Sequence, residues 1–156
     1  MYSVRLSRER KFALIIGLLI ALLILLSRPK APAAPRAERP NKIFSVQEFL
    51  VTNTGLPNIP DAVSLANIRR LIRDFFQPLQ RRIGRELVIN SGFRSKPVNK
   101  AVGGVATSKH LEALATDFKV VGKSGNWLYN KVKEYGFDKM LEYYVIHNSY
   151  LHVEFK

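Results

Sequence analysis

The sequence predicts an α+β domain over residues 43–156, with a central antiparallel sheet and flanking helices. Its strongest helix signal lies in residues 61–83, where apolar side chains recur every three to four positions. Several short apolar segments of strand length follow, bounded by glycine, asparagine and serine. Helices placed before and among short strands are typical of the α+β class. The predicted strands are residues 86–95, which run into a loop, 115–121, 137–147 and 150–155.

The domain is expected to open with a short helix. Ser45 and Glu48 form the capping-box pattern that begins such a helix, and residues 53–60 read as a loop. The long helix over 61–83 contains Pro78, which should kink it or end its first part, and Gly84 is its stop signal.

The remaining elements follow from turn residues. A short helix over 96–102 is ended by Gly103 and Gly104, and an amphipathic helix over 124–136 is closed by Gly136. The last two strands can pair as a hairpin through Asn148 and Ser149.

Composition limits the classes of partner. A chain of 156 residues holds one domain plus appendages. Its net charge of +13 suits a polyanion, either nucleic acid, anionic lipid headgroups or a carboxylate-rich cell-wall polymer. Residues 1–42 hold nine Lys/Arg and two Asp/Glu, so more than half of this charge lies outside the predicted domain. The absence of cysteine excludes disulfides, thiolate metal ligands and a cysteine nucleophile.

The N-terminal region predicts a membrane anchor and a tether. Residues 1–11 are basic, and residues 12–27 contain an unbroken apolar run flanked by Lys and Arg. The run is shorter than the roughly 20 residues of a usual span, but flanking basic side chains can reach the headgroups. An uncleaved single-pass anchor is favoured over a cleaved signal peptide, because basic residues separate the run from the small residues after it. Residues 28–42 are rich in proline and form an extended linker.

Three side chains in the domain could hold a metal. His110 and Asp117 lie seven positions apart, and His152 comes near the end of the chain. Two imidazoles and one carboxylate are the ligand set of an open zinc site that keeps a position for water, and they favour zinc over manganese or iron. Each residue alone has an ordinary structural interpretation: an ion pair for Asp117, and a surface or hydrogen-bonded role for a histidine. The third histidine, His147, is interpreted as a hairpin residue, because a fourth ligand would close the catalytic position.

A wider pattern surrounds these residues. The segment SGFRS at 91–95 is followed by a VN-x-x-VGG stretch at 98–104, then by S-x-H and A-x-D at 108–117. FDKMLE at 137–142 and LHV at 151–153 complete it. In this order the elements resemble the zinc D-alanyl-D-alanine carboxypeptidase and L-alanyl-D-glutamate endopeptidase family, which shares a fold with the Hedgehog signalling domain. The likeness spans residues 43–156, with Ala113 where the family usually has glycine.

The resemblance implies roles for the residues that match the family pattern. His110, Asp117 and His152 would bind Zn²⁺. Arg94 would contact the substrate beside the scissile bond as a catalytic and binding residue, and Ser108 would support the site and bind substrate. The general base is where the chain departs from the family. Ser149 stands where many relatives have an acidic residue, and Tyr143 where others have Glu. Glu142 is the first candidate for the base, followed by Glu154 and then Asp138.

These features together predict a zinc peptidase that hydrolyses peptidoglycan stem peptides, for wall remodelling or phage-type lysis. The anchor would hold a monomer on the outer side of the cytoplasmic membrane. The alternative is a wall-binding module of the same fold with impaired catalysis, suggested by the departure at the base. Nucleic-acid binding ranks last, because the aromatic residues of helix 61–83 lie on its apolar side rather than beside its arginines.

Overall fold

A four-stranded antiparallel sheet forms the centre of the computed structural model, which describes residues 42–156. Its strands stand in the spatial order β1-β2-β4-β3, which confirms the α+β prediction. The strands are β1 (Val88–Ser91), β2 (Ala115–Lys119), β3 (Leu141–Ile146) and β4 (Leu151–Phe155). The predicted anchor over 12–27 and most of the linker over 28–42 lie outside the described residues. Within 42–156, no helix has both the length and the apolar character needed to span a membrane.

The long helical segment passes Pro78 without ending. It consists of α1 (Ala62–Leu71), a π-helical turn (Ile72–Phe76) and α2 (Gln77–Ile83). Proline lacks an N–H and its ring collides with the carbonyl four residues earlier, whereas a π turn widens the backbone at that point. The Gln77 N–H accordingly donates to Ile72 O, five residues back. The sequence therefore identified where the helix is disturbed by Pro78. In the structure the disturbance is a π turn, and the helical segment continues through it.

Both ends of this segment follow the expected chemistry. Asp61 caps the start by accepting a hydrogen bond from the Ser64 N–H at 2.7 Å. Gly84 ends it in the left-handed conformation, with φ of 68°.

One face of the sheet packs against this helical segment. Alternate residues of β4, namely Leu151, Val153 and Phe155, are fully buried. Phe75 from the π turn meets the Phe155 ring edge-on at 4.9 Å. Because side chains alternate along a strand, His152 and Glu154 point to the opposite face, away from the core. The hydrophobic core thus leaves that second face available for polar chemistry.

Smaller elements complete the domain. They are a 3₁₀ turn (Val46–Phe49), α3 (Lys96–Ala101), a second 3₁₀ turn (Lys109–Glu112), α4 (Gly125–Glu134) and a third 3₁₀ turn (Phe137–Met140). At the first of these, the Ser45 N–H donates to Glu48 Oε1 at 3.1 Å, as the capping-box pattern predicted.

The predicted strand over 137–147 is too long at its start. Its first four residues form the third 3₁₀ turn, and β3 begins only at Leu141. Gly136, with φ of 77°, turns the chain before this segment, and the Phe137 ring packs on Phe75 at 5.6 Å. Core packing of Phe137 therefore takes precedence over extension of the strand.

Strand pairing is regular in the middle of the sheet and irregular at its β3 edge. Between β2 and β4 the partners advance one for one, and Asp117 stands opposite His152. Between β3 and β4, Leu141 pairs with Phe155 but Tyr143 pairs with Glu154. Glu142 is the additional residue of a β-bulge.

Candidate functional site

Asp117 and His152 come together because they are cross-strand partners. They occupy directly opposite positions on β2 and β4, and both point to the face of the sheet away from the phenylalanine core. Asp117 Oδ1 lies 2.7 Å from His152 Nδ1. The pairing register of two central strands therefore sets this half of the site.

His110 reaches the same point from outside the sheet. It lies in the second 3₁₀ turn and only 3% of its surface is exposed. Its Nδ1 lies 2.6 Å from the Gly92 carbonyl oxygen, and its Nε2 lies 3.6 Å from Asp117 Oδ2. A carbonyl can only accept, so Nδ1 carries the proton and, in the neutral ring, Nε2 keeps a free lone pair.

The backbone at Gly92 explains how this carbonyl is presented. The Phe93 N–H donates to Phe49 O, and a Cβ added at position 92 would stand 2.6 Å from that same oxygen. Any larger residue would push the two segments apart. Glycine at 92 therefore allows the close approach that holds the carbonyl against His110.

His110, Asp117 and His152 form one cluster. Each contributes a ligand atom, and these atoms all lie within 4.8 Å of one another. The set consists of two imidazole nitrogens and a carboxylate oxygen, as in a three-ligand zinc centre. Each histidine also has its second nitrogen held by a protein oxygen, which is the outer support that zinc-binding imidazoles normally have. The residues therefore fit a zinc ion.

Arg94 holds the carboxylate of this cluster in the structure. Its Nε donates to Ser91 Oγ at 2.9 Å and one Nη donates to Asp117 Oδ2 at 3.0 Å. Two of the five guanidinium N–H groups are used in this way, which leaves three for another acceptor. Substrate contact by Arg94 stays a prediction, whereas its bond to Asp117 is the ion pair that the sequence allowed for this carboxylate.

Ser108 lies at the start of the turn that carries His110. Its carbonyl accepts from the Leu111 N–H at 3.0 Å, so its backbone helps to shape the turn. The turn ends at Ala113, which has φ of 56° and is the one non-glycine residue of 42–156 with positive φ. Ala113 stands where the family usually has glycine, and it adopts the left-handed backbone conformation that glycine would favour.

The three candidate bases lie in different places. Glu154 extends from β4 on the same face as His152, and its Oε1 is 3.4 Å from His152 Nε2. Glu142 is exposed in the bulge, and Asp138 lies in the third 3₁₀ turn. Within the described part of the chain none of the three belongs to the metal-capable cluster. The structure thus brings Glu154 to a ligand histidine and leaves the role of Glu142 a prediction.

The two histidines of the cluster have opposite electrostatic environments. Burial, together with the positive charge of Arg94, lowers the pKa of His110 to about 4. The hydrogen bond with Asp117 raises the pKa of His152 above its ordinary value. Burial alone would raise the pKa of Asp117, but the hydrogen bond from His152 and the nearby positive charges lower it. The His110 ring is therefore neutral at pH 7, whereas His152 holds a proton more tightly.

The third histidine and Tyr143 lie outside the cluster. His147 stacks on Tyr150 with ring centroids 4.1 Å apart and lies outside the cluster, as interpreted from the sequence. The Tyr143 ring lies edge-on to His152 with centroids 6.5 Å apart. In the sequence, Tyr143 stands out only as a departure from the family pattern. The strand register, which the sequence does not show, places it next to His152.

Comparison with known proteins agrees with this geometry. A family model described as Peptidase M15 matches residues 42–154, which include β1 to β3, β4 up to Glu154, and all three metal-capable residues. No curated protein matches the chain.

Proposed function

Because the chain belongs to the peptidase M15 family, whose domain is D-Ala-D-Ala carboxypeptidase-like, we propose that it is a zinc-dependent peptidase acting on peptidoglycan stem peptides. The observation that carries the proposal is the cluster of His110, Asp117 and His152, with ligand atoms within 4.8 Å. Family membership supports peptide hydrolysis, and the ligand set supports zinc.

The side chains of the site would have three roles: metal binding, substrate binding and proton transfer. His110 Nε2, the Asp117 carboxylate and His152 Nδ1 would hold Zn²⁺. A zinc ion with three protein ligands binds a water, lowers its pKa to about 7 and polarises a carbonyl. Arg94, fixed by Ser91 and Asp117, keeps three donors that suit a substrate carboxylate or carbonyl. Glu142 is the proposed acceptor of the water proton, provided that its exposed side chain turns toward bound substrate.

The proposed substrate and location follow from charge and from the N-terminal region. The net charge of +13 favours a wall polymer that is rich in carboxylates. The apolar run within residues 12–27 would anchor the protein in the cytoplasmic membrane, and the proline-rich residues 28–42 would hold the domain clear of the membrane surface. A wall substrate requires that the domain lies on the outer side of that membrane. At that location a monomeric peptidase would remodel the cell wall or, if a phage encodes it, contribute to lysis of the host cell.

The test uses the full chain in detergent micelles. We would measure bound zinc and follow peptides released from purified peptidoglycan by mass spectrometry, with His110→Ala as control. About one zinc per chain and cleavage by the wild type alone would support the proposal. Fragment masses would then identify the bond, whether D-Ala-D-Ala, L-Ala-D-Glu or a cross-bridge. Absence of zinc would reject the metal centre itself.

A second candidate function is a wall-binding module with impaired catalysis. The exposed position of Glu142, outside the metal-capable cluster, favours it. Glu142→Gln separates the two functions. If hydrolysis is lost while zinc content and folding remain, Glu142 is the base of an active peptidase. If the wild type binds zinc and peptidoglycan but cleaves no wall type, the binding module is the better description.

A further inference from the structure

The bulge in β3 decides which side chain that strand presents to the metal-capable cluster. Leu141 pairs with Phe155, so both belong to the core side of the sheet. Without a bulge, the next residue, Glu142, would stand opposite Glu154 and place two carboxylates side by side. With Glu142 as the additional residue, Tyr143 takes that position instead. Bulges commonly redirect side chains beside active sites in this way.

Cross-strand pairing then places Tyr143 beside a metal ligand. Glu154, its partner on β4, has its Oε1 3.4 Å from His152 Nε2. The Tyr143 ring itself lies edge-on to the His152 ring, with centroids 6.5 Å apart. Tyr143, Glu154 and His152 therefore share the face of the sheet that carries the cluster.

Tyr143 also differs from the tyrosine next to it. Tyr144 pairs with Val153, on the other face of the sheet, and its ring stacks on Tyr129 at 4.1 Å. Tyr143 is 54% exposed at the border of the cluster. A large aromatic side chain with that exposure contributes little to the core, so its hydroxyl is available to a bound molecule.

We propose that Tyr143 is a further catalytic residue, whose hydroxyl donates a hydrogen bond to the carbonyl oxygen of the scissile peptide as that oxygen becomes negatively charged. A phenol keeps its proton at neutral pH, so it acts as a donor and not as a base. A donor placed where negative charge develops lowers the barrier more than it strengthens substrate binding. The proposal rests on the proposed peptidase function.

The experiment compares Tyr143→Phe with the wild type and with Tyr144→Phe, all as zinc-loaded full-length protein in detergent. Each substitution removes one hydroxyl from adjacent positions on opposite faces of the sheet. Hydrolysis of a purified stem peptide gives kcat and KM. Calorimetry with a phosphinic alanyl-alanine dipeptide, whose tetrahedral anionic group mimics the charged intermediate, gives a Kd that needs no turnover. Zinc content and Tm are measured for all three proteins.

The expected result is a loss of about 100-fold in kcat for Tyr143→Phe, with KM within about twofold, as for removal of one oxyanion donor. The Kd of the phosphinic dipeptide should weaken about tenfold or more, since a hydrogen bond to a charged group is lost. Zinc content and Tm should not change, and Tyr144→Phe should match the wild type.

Other results would overturn the proposal. Equal kcat for the wild type and Tyr143→Phe on a cleaved peptide rejects the role of Tyr143 and leaves the peptidase function intact. If the wild type hydrolyses no stem peptide, the peptidase function is rejected. The calorimetry then tests only whether the Tyr143 hydroxyl donates a hydrogen bond to the phosphinic dipeptide. Equal dipeptide affinity in both proteins, or no binding to the wild type, rejects the hydrogen bond. A loss of zinc or a lower Tm in Tyr143→Phe would show a structural role instead.

Discussion

The middle of the sheet and its β3 edge differ in how strictly strand pairing fixes the positions of their side chains. Between β2 and β4 the register is regular, and it places Asp117 opposite His152 with the metal-capable atoms within 4.8 Å. At the β3 edge a bulge interrupts the register, Glu142 is exposed, and Tyr143 faces the cluster. The two regions lie only one strand apart.

The difference shows how packing restricts a site. β4 is paired on both sides, and its alternate residues are buried in the core, so a shift by one residue would expose Leu151 and Val153. Within residues 42–156, β3 pairs on one side only, and four of its six residues are exposed. An edge strand of that kind can accept an additional residue at little cost. The core therefore holds the metal-capable residues in place, whereas the side chains that border them on β3 depend on the edge.

The largest effect is expected at the middle of the sheet. Asp117→Asn removes the carboxylate that joins His110, His152 and Arg94, so zinc binding should be lost. Hydrolysis should fall by at least about 1000-fold, because enzymes of this kind accelerate their reactions by roughly a millionfold or more. Zinc analysis and peptide release would measure both. Asp74→Asn, a change at a half-buried aspartate that pairs with Arg73, is the matched control. Retention of stoichiometric zinc in Asp117→Asn would contradict the ligand set.

Substitution of two cross-strand partners, one buried and one exposed, tests how packing differs between the middle of the sheet and its edge. Leu151 on β4 is fully buried, and its partner Ile146 on β3 is 40% exposed. Leu151→Ala should lower the free energy of unfolding by about 2–5 kcal/mol. Ile146→Ala should lower it by less than about 1 kcal/mol. Urea denaturation of both variants measures the difference, and equal losses would show that the edge is packed as tightly as the middle.

Glu154 offers a smaller effect on metal affinity. Its carboxylate is placed to accept the Nε2 proton of His152, which directs the Nδ1 lone pair toward the metal position. Glu154→Gln should weaken zinc binding by about 10–100-fold while the fold remains intact. Competition against a chromophoric chelator gives the Kd. Glu134→Gln, which changes an exposed glutamate on α4 paired with Lys131, should leave that Kd unchanged. An unchanged Kd in Glu154→Gln would reject the positioning role.

The pH dependence of zinc binding tests the smallest of the expected effects. The pKa of His152 is raised by its hydrogen bond with Asp117, whereas the pKa of His110 is lowered to about 4 by burial. Below its folded-state pKa, His152 must lose a proton before its Nδ1 can bind zinc, so affinity falls as pH falls. His110 is already neutral at pH 6 and does not compete.

Calorimetry at pH 6 in buffers of different ionisation enthalpy should therefore show release of about one proton per zinc. The Kd should rise about tenfold per pH unit on acidification, as for competition by a single proton. Release of two protons would mean that His110 is also charged in the metal-free protein.

Much of the domain could be predicted from the sequence because the relevant signals are local. The helix over 61–83, its cap at Gly84 and the capping box at Ser45 rest on side chains within a few residues of one another, and the structure confirms them. The start of β3 was predicted too early, because the packing of Phe137 on Phe75 involves residues far apart in the chain.

The amino-acid sequence is enough to establish a positively charged chain without cysteine, to predict an α+β domain, and to identify two histidines and an aspartate in the order that the family has. Which atoms come into contact depends on the folded structure. It places Gly92 O against His110, Glu154 against His152, and Tyr143 instead of Glu142 on the face of the cluster. The physical reason is that residue type and local spacing are properties of the chain, whereas strand register results from burying one face of the sheet in a shared core.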